Sequence, residues 1–342
     1  MKKETIARLL TIGFVLLAVA IPVGGYLISN RPDRIELHAR MPENGGWSLD
    51  TIQAKVGKPI TLHITSDDVV HGFAIGRSDQ TNLEIIPGTF TDTTLTFDRP
   101  GKYTFYCTRW CGRNHWRMRG TIEVTGSGTP LAVDPQPLFV KLGLDIDNPQ
   151  MAEVTPANRA SAERGAQFSS VLPVYVLDRN FYLSTSPAKL WLQLRAERSL
   201  TGLSDDDVWD AVAWVWQQQT TPIALADGKK IYATNCAACH GESGKGDGVM
   251  VRGLPVWSPG SHTSGGGMTK SATGEGLFSP PDFTDPKHLL GASPALLEGK
   301  ILRGGMGTGM PYWGPIFTPS QVDALVAYLY TFVWSVPPSN FK

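Results

Sequence analysis

"YCTRWCGRNHWRM", residues 106–118, gathers two cysteines, one histidine and one methionine within thirteen positions. It follows "RPGKYTF", whose alternation places Tyr103, Phe105 and Cys107 on one face of a strand. Soft thiols, an imidazole and a thioether in one loop select copper over zinc. A further histidine, His71, lies upstream in "DDVVHGFAIG". A mononuclear copper site needs only His71, Cys111, His115 and Met118, so Cys107 is surplus to it. Two thiolates can bridge two copper ions and leave one imidazole for each. A Cys107–Cys111 disulfide is the competing reading outside the cytoplasm, but it leaves the spacing of His115 and Met118 without a reason.

Around this loop, residues 31–128 carry short alternating runs. In "PITLHIT", Ile60, Leu62 and Ile64 alternate with Thr61, His63 and Thr65, as on a half-buried strand. His63 falls on the outward face and is read as surface rather than ligand. "TLTF", "KYTFYC" and "GTIEVT" add further strands, and the pattern predicts a small antiparallel sandwich.

The other two of the four cysteines lie in "CAACH", residues 236–240. This is the attachment signal of c-type haem. On a helix, Cys236, Cys239 and His240 fall at i, i+3 and i+4 and share one face. Downstream lie Met306 and Met310 in "GGMGTGMPYWG", and His262 and Met268 in a long glycine-rich stretch. No cysteine is left over.

The N-terminus has no charged residue from Leu9 to Ile28 and is preceded by Lys2, Lys3 and Arg8. About 20 apolar residues span a bilayer, and the basic flank keeps the N-terminus inside. The expectation is one membrane anchor over residues 1–30 rather than a cleaved signal peptide, with the remainder on the outer side of the cytoplasmic membrane. The 31 basic and 31 acidic residues cancel, which argues against nucleic acid as a partner.

Between the two motif regions, residues 129–220 contain no cysteine and cannot hold a covalent haem. "LSDDDVWDAVAWVWQ" is echoed by "FTPSQVDALVAYLYTF": Ser204 falls on Thr318, Val208 on Val322, Val212 on Val326 and Trp214 on Tyr328. The segment reads either as a haem-free relic of a cytochrome fold or as a helical spacer docking through Trp191, Trp209, Trp214 and Trp216.

Two family resemblances follow from these residues. Residues 67–124, with "DVVHGF", "EIIPG" and "RPGKYTFYCTRWCG", resemble the binuclear CuA domain of cytochrome oxidase subunit II. The resemblance implies a cupredoxin sandwich in which Cys107 and Cys111 bridge, and His71 and His115 bind one copper each. It implies Met118 as a weak axial ligand and the main-chain carbonyl of Arg109 as the other; arginine there departs from the family's usual carboxylate or amide. Residues 227–332 resemble a class I cytochrome c, which implies an all-α domain over residues 221–342 with Met310 as distal ligand, Met306 as the less favoured alternative, and the stretch with His262 and Met268 as an insertion. It also implies a carbonyl of Pro280 or Pro281 accepting from His240. Together these imply the electron-transfer subunit of an oxidoreductase complex of cytochrome c oxidase type. Such a subunit has an upstream electron donor and a multi-span membrane partner that carries the gas-reducing site, with no catalytic residue in this chain. A CuA-type nitric oxide reductase subunit and a free membrane-tethered carrier stand as alternatives. The family's aromatic run before the copper domain is missing; Trp47 stands alone.

Overall fold

Alternation in the first 125 residues produces eight strands. The structure, a computed structural model, describes residues 11–19, 21, 33–78, 82–112, 114–131, 135–148, 150–252, 280–305 and 309–335. The strands are β1 (Asp33–Ala39), β2 (Thr51–Lys55), β3 (Ile60–Ser66), β4 (His71–Ile75), β5 (Asn82–Ile85), β6 (Thr91–Leu95), β7 (Gly101–Tyr106) and β8 (Arg119–Thr125). They form two sheets, β1-β3-β6 and β2-β8-β7-β4-β5. The sandwich is therefore as expected, but it is not purely antiparallel. β1 runs parallel to β3 and β2 parallel to β8. Each of these pairs joins strands distant enough in sequence for a crossover, which a parallel pairing requires. β6 and β7, adjacent in sequence, go to different sheets.

The inward faces of both sheets meet in one core that includes Leu37, Leu62, Ile64, Phe73, Phe105 and Ile122. Trp47 lies inside it, edge-on to Phe73 and Phe105 at 5.8 and 5.6 Å. Along β3, Ile60, Leu62 and Ile64 are buried while Thr61 and His63 are half-buried. His63 stacks on Phe90 at 3.9 Å and meets Asp92 at 2.5 Å, away from the cysteines. His38 pairs with Asp67 and Glu36.

From residue 138 the described residues are mainly helical. The helices are α1 (Leu138–Lys141), α2 (Ala162–Gly165), α3 (Arg179–Ser184), α4 (Pro187–Ala196), α5 (Asp205–Gln218), α6 (Pro222–Asn235), α7 (Ala237–His240), α8 (Pro286–Leu290), α9 (Pro294–Arg303) and α10 (Pro319–Tyr330). The echo between α5 and α10 is carried by their starts. Ser204 with Asp207, and Thr318 with Gln321, each form a reciprocal capping box, which satisfies amide groups that the first turn leaves open. The correspondence reaches further than these two helices. Asp178 caps α3 as Asp285 caps α8. "SPA" opens α4 as it opens α9, with Ser186 and Ser293 as caps. Gly165 of α2 lies so close to α5 that a Cβ there would collide with the Asp210 carbonyl. Gly228 of α6 lies against the Ala324 carbonyl of α10 in the same way. Asp210 and Ala324 occupy the same place in the echo. Residues 161–218 thus repeat, helix for helix, the frame of α6, α8, α9 and α10, without the segment that carries "CAACH".

The two helical sets share a single core. Trp216 meets Tyr330 at 5.9 Å and Trp334 at 6.1 Å, edge to face, and Trp209 and Trp216 are buried within the same cluster. These tryptophans are internal, so the spacer reading that presented them to another subunit loses two of its four side chains.

Residues 11–19 and 21 are helical and, apart from half-buried Gly13, exposed. The rest of the expected anchor, 1–30, lies outside the described residues, and among those described no helix is long and apolar enough to cross a membrane. Met306, His262 and Met268 also lie outside them.

Candidate metal and haem centres

The first centre forms where β4 begins and β7 ends. His71 is the first residue of β4 and is fully buried. Strand β7 delivers Cys107, and the amide of Cys107 donates to the Met118 carbonyl at 3.0 Å, closing residues 107–118 into a loop. All six expected donors converge there. The Nδ1 atom of His71 is 3.7 Å from Cys107 Sγ, and that thiol donates to the Arg109 carbonyl at 3.2 Å. Cys111 Sγ is 3.6 Å from His115 Nδ1 and 3.2 Å from Met118 Sδ. The ligand atoms of His71, Cys107 and Cys111 lie within 4.8 Å of one another. Neither thiol is in a disulfide, so the competing reading of the two cysteines fails here.

Electrostatics prepares the site for a cation. Cys107 is the thiol that ionises first. The hydrogen bond from Cys111 holds its pKa far down against the effect of burial, aided by His115 and His71. Cys111 moves the other way, because Cys107 beside it and burial both disfavour a second negative charge. A metal removes that conflict, since coordinated thiols are deprotonated outright. Burial alone lowers the pKa of His71, but hydrogen bonds to Cys107 and Asp68 outweigh it and the net shift is upward.

Asp68 is the residue that sequence reading missed. Its Oδ1 sits 2.8 Å from His71 Nε2. Burial works to raise its pKa, yet His71, the Met41 and Val69 amides and Asn44 together hold it well below the usual carboxylate range. A carboxylate on the far nitrogen fixes the ring and leaves Nδ1 free to ligate. The signal was present as "DDVVH", an acid three residues before the histidine.

The second centre is built on α6 and α7. The Cys236 carbonyl accepts from the amides of Cys239 and His240 at 3.1 and 2.9 Å, so the three side chains leave one helical turn, as the motif requires. Left-handed Gly241, Gly244 and Gly246 then reverse the chain. His240 stacks on Phe283 at 4.6 Å. Its Nδ1 is buried without a hydrogen-bond partner, so the expected bond to a carbonyl of Pro280 or Pro281 is not made. Burial pushes the imidazole pKa down to about 4 and leaves it neutral, the form that ligates iron. Burial likewise raises Cys236 to about 12 and Cys239 to about 11. Met310 is partly buried against the same helical core as Cys236. A buried, neutral imidazole beside two free thiols on one helical turn fits a covalently held haem.

Comparison with known proteins gives both regions a family. Residues 48–125 match the family described as cytochrome c oxidase subunit II, periplasmic domain, and residues 225–332 match cytochrome c. The chain is 39% identical over 79 residues to cytochrome c oxidase subunit 2 of Thermus thermophilus, covering 23% of this chain and 58% of that protein. It is 32% identical over 108 residues to a Cbb3-type cytochrome c oxidase subunit of Azorhizobium caulinodans, covering 32% of this chain and 27% of that one. A solved heme-copper terminal oxidase dimer contains a chain 29% identical, covering 36% of this chain and 97% of that one, at a TM-score of 0.25. The chain spans about half the length of the Thermus relatives, 58% and 46%. One polypeptide here joins a cytochrome c oxidase subunit II periplasmic domain to a cytochrome c domain.

Proposed function

We propose that this chain is the electron-entry subunit of a haem–copper terminal oxidase, receiving electrons at its C-terminal unit and passing them through the β-sandwich to a membrane partner that reduces oxygen. The observation that carries this reading is the convergence of His71, Cys107, Arg109, Cys111, His115 and Met118 at one point of the fold, in the same chain as "CAACH". When bound, a copper pair and a haem c each supply a one-electron couple.

The chain's own residues do the rest. Cys107, Cys111, His71, His115, Met118 and the Arg109 carbonyl would hold the copper, which would supply a one-electron couple there. His71 is set by β4 and the other donors by the loop between β7 and β8, which the Cys107 amide closes onto the Met118 carbonyl; a donor set held this way would need little reorganisation when charge is added, which favours fast transfer. Cys236 and Cys239 would hold a haem covalently, and neutral His240 and Met310 would ligate its iron, a saturated set that suits electron transfer rather than gas binding. The apolar N-terminal run tethers the chain to the membrane beside its partner.

The test uses the native membrane complex, supplied with reductant, with oxygen and nitric oxide consumption followed separately and copper and haem counted per chain. Two coppers and one haem with rapid oxygen uptake are expected. Preferential turnover of nitric oxide would move the chain to a nitric oxide reductase, and turnover of neither gas would leave a tethered carrier.

A further inference from the structure

The two centres belong to different cores, and the contact between those cores is built from few residues. On the sandwich side, Tyr106 and Arg119 are cross-strand partners at the end of β7 and β8. Each is one residue from a copper-site donor, Cys107 and Met118. Tyr106 packs onto the helical core. The Arg119 guanidinium lies 5.9 Å from the ring centre of Tyr312 and 5.5 Å from that of Trp313, and its Nη1 donates to the Tyr312 carbonyl. Tyr312 is two residues beyond Met310.

This methionine-bearing loop is pinned from its other side by α9: the amides of Trp313 and Gly314 donate to the Ile301 and Leu302 carbonyls at 3.2 and 3.1 Å. A second arginine of the sandwich, Arg77, donates from its amide to the Ile316 carbonyl at 2.8 Å and from Nε to the Gly314 carbonyl at 3.2 Å. The preceding Gly76 lies so close that a Cβ would strike the Pro315 carbonyl. Arg77 itself adopts a left-handed φ of 58°, a conformation a non-glycine residue holds only when its surroundings enforce it.

Arg119 differs from Arg77 in kind. It is half-buried, and desolvation works against its charge. The groups that face it are aromatic rings and a carbonyl, the surroundings that hold a partly desolvated guanidinium through its planar fork and its face. Removing a cation from water for no purpose is costly.

We propose that Arg119 is the positioning residue for transfer between the haem and copper centres: it seats the Met310 loop on the copper loop and links them through its hydrogen bond to the Tyr312 carbonyl. The inference rests on the electron-entry reading above. The step is a one-electron transfer in which the haem side is oxidised and the copper side reduced, with no bond made or broken and no proton moved. The covalent run from Met118 into Arg119, one hydrogen bond, and the short chain back to Met310 form a continuous connection with no through-space gap.

The test uses the full chain loaded with copper and haem, with an electron injected at the haem by a photoexcited ruthenium dye. Haem reoxidation gives the transfer rate, redox titration gives both midpoint potentials, and hydrogen exchange of the 309–317 amides reports seating independently of transfer. Arg119→Gln is compared with Arg77→Ala, which loosens the same loop from a residue not joined to a copper donor. Arg119→Gln is expected to slow transfer about tenfold or more, with both potentials unchanged, and Arg77→Ala to slow it far less at similar amide exchange. Transfer at the native rate in Arg119→Gln would overturn the assignment. Equal slowing in the two variants would overturn it too, by assigning the effect to docking in general. If the unaltered chain transfers nothing from haem to copper, the electron-entry reading fails, and the assignment of Arg119 falls with it.

Discussion

His71 is held from both sides of its ring, by Cys107 at Nδ1 and Asp68 at Nε2. Asp68→Asn keeps the shape but removes the charge that orients the imidazole. Copper affinity should fall about 10- to 100-fold, read by competition with a chelator of known affinity, with the far-ultraviolet circular dichroism unchanged. His38 offers a second test at this scale. Hydrogen bonds donated to Asp67 and then to Glu36 raise its pKa above the ordinary value, outweighing burial. The folded state therefore holds this proton more tightly than the unfolded chain. The stabilisation is complete below about pH 6.5 and is lost as pH rises through the folded value. His38→Gln should lower the urea midpoint relative to the unaltered protein at about pH 6 and leave the two nearly equal at about pH 9. A gap that does not change with pH would show that the pair contributes by packing alone.

At the scale of elements, the helix frame of residues 161–218 depends on the same device as that of the haem-bearing helices: a glycine where two helices cross. Gly165 faces the Asp210 carbonyl and Gly228 the Ala324 carbonyl, neither of which can yield as a side-chain tip would. Alanine at either position forces the helices apart and should cost about 1–3 kcal/mol, seen as a lowered thermal midpoint. Gly202→Ala, with no atom near its would-be Cβ, serves as the control and should be neutral within error. These crossings also mark how far the sequence could be read. The gathering of Cys107, Cys111, His115 and Met118 was legible because they lie in one loop, where spacing along the chain is close to spacing in the fold. "CAACH" was legible because one helical turn fixes it. The capping boxes at Ser204 and Thr318 are local too, and the echo was seen there. The parallel pairings of β1 with β3 and β2 with β8 were not legible, because distant register leaves no local trace. Gly165 and Gly228 meant little until their opposing carbonyls were known, and Arg119 reads as an ordinary surface cation until the Met310 loop is seen against it.

For the whole molecule, the number of cores is smaller than the number of segments. The β-sandwich has a core of its own. The middle helices and the haem-bearing helices share one, running from Ile146 to Trp334. Their contact combines burial with specific bonds. Trp216 packs on Tyr330 and Trp334, Arg159 donates to the Thr331 and Trp334 carbonyls at 2.9 and 3.1 Å, and the Ser335 amide donates to the Ala160 carbonyl at 2.8 Å. Aromatic side chains of this size bury about 150–250 Å² each, so separating the two sets uncovers a large apolar face. A fragment beginning at residue 221 retains every haem-binding motif yet loses that cover. It should melt at a lower temperature than the helical part of the full chain and bind a hydrophobic dye such as ANS, whereas a fragment beginning at residue 135 should melt with the parent. In the full chain, circular dichroism at helical wavelengths should show one transition for both helical sets, separate from the loss of the copper absorption that reports the sandwich. A 221-onward fragment as stable as the parent would mean that the middle helices lean on the haem unit without supporting it. The shared core predicts the opposite, that the middle helices hold the C-terminal set in shape.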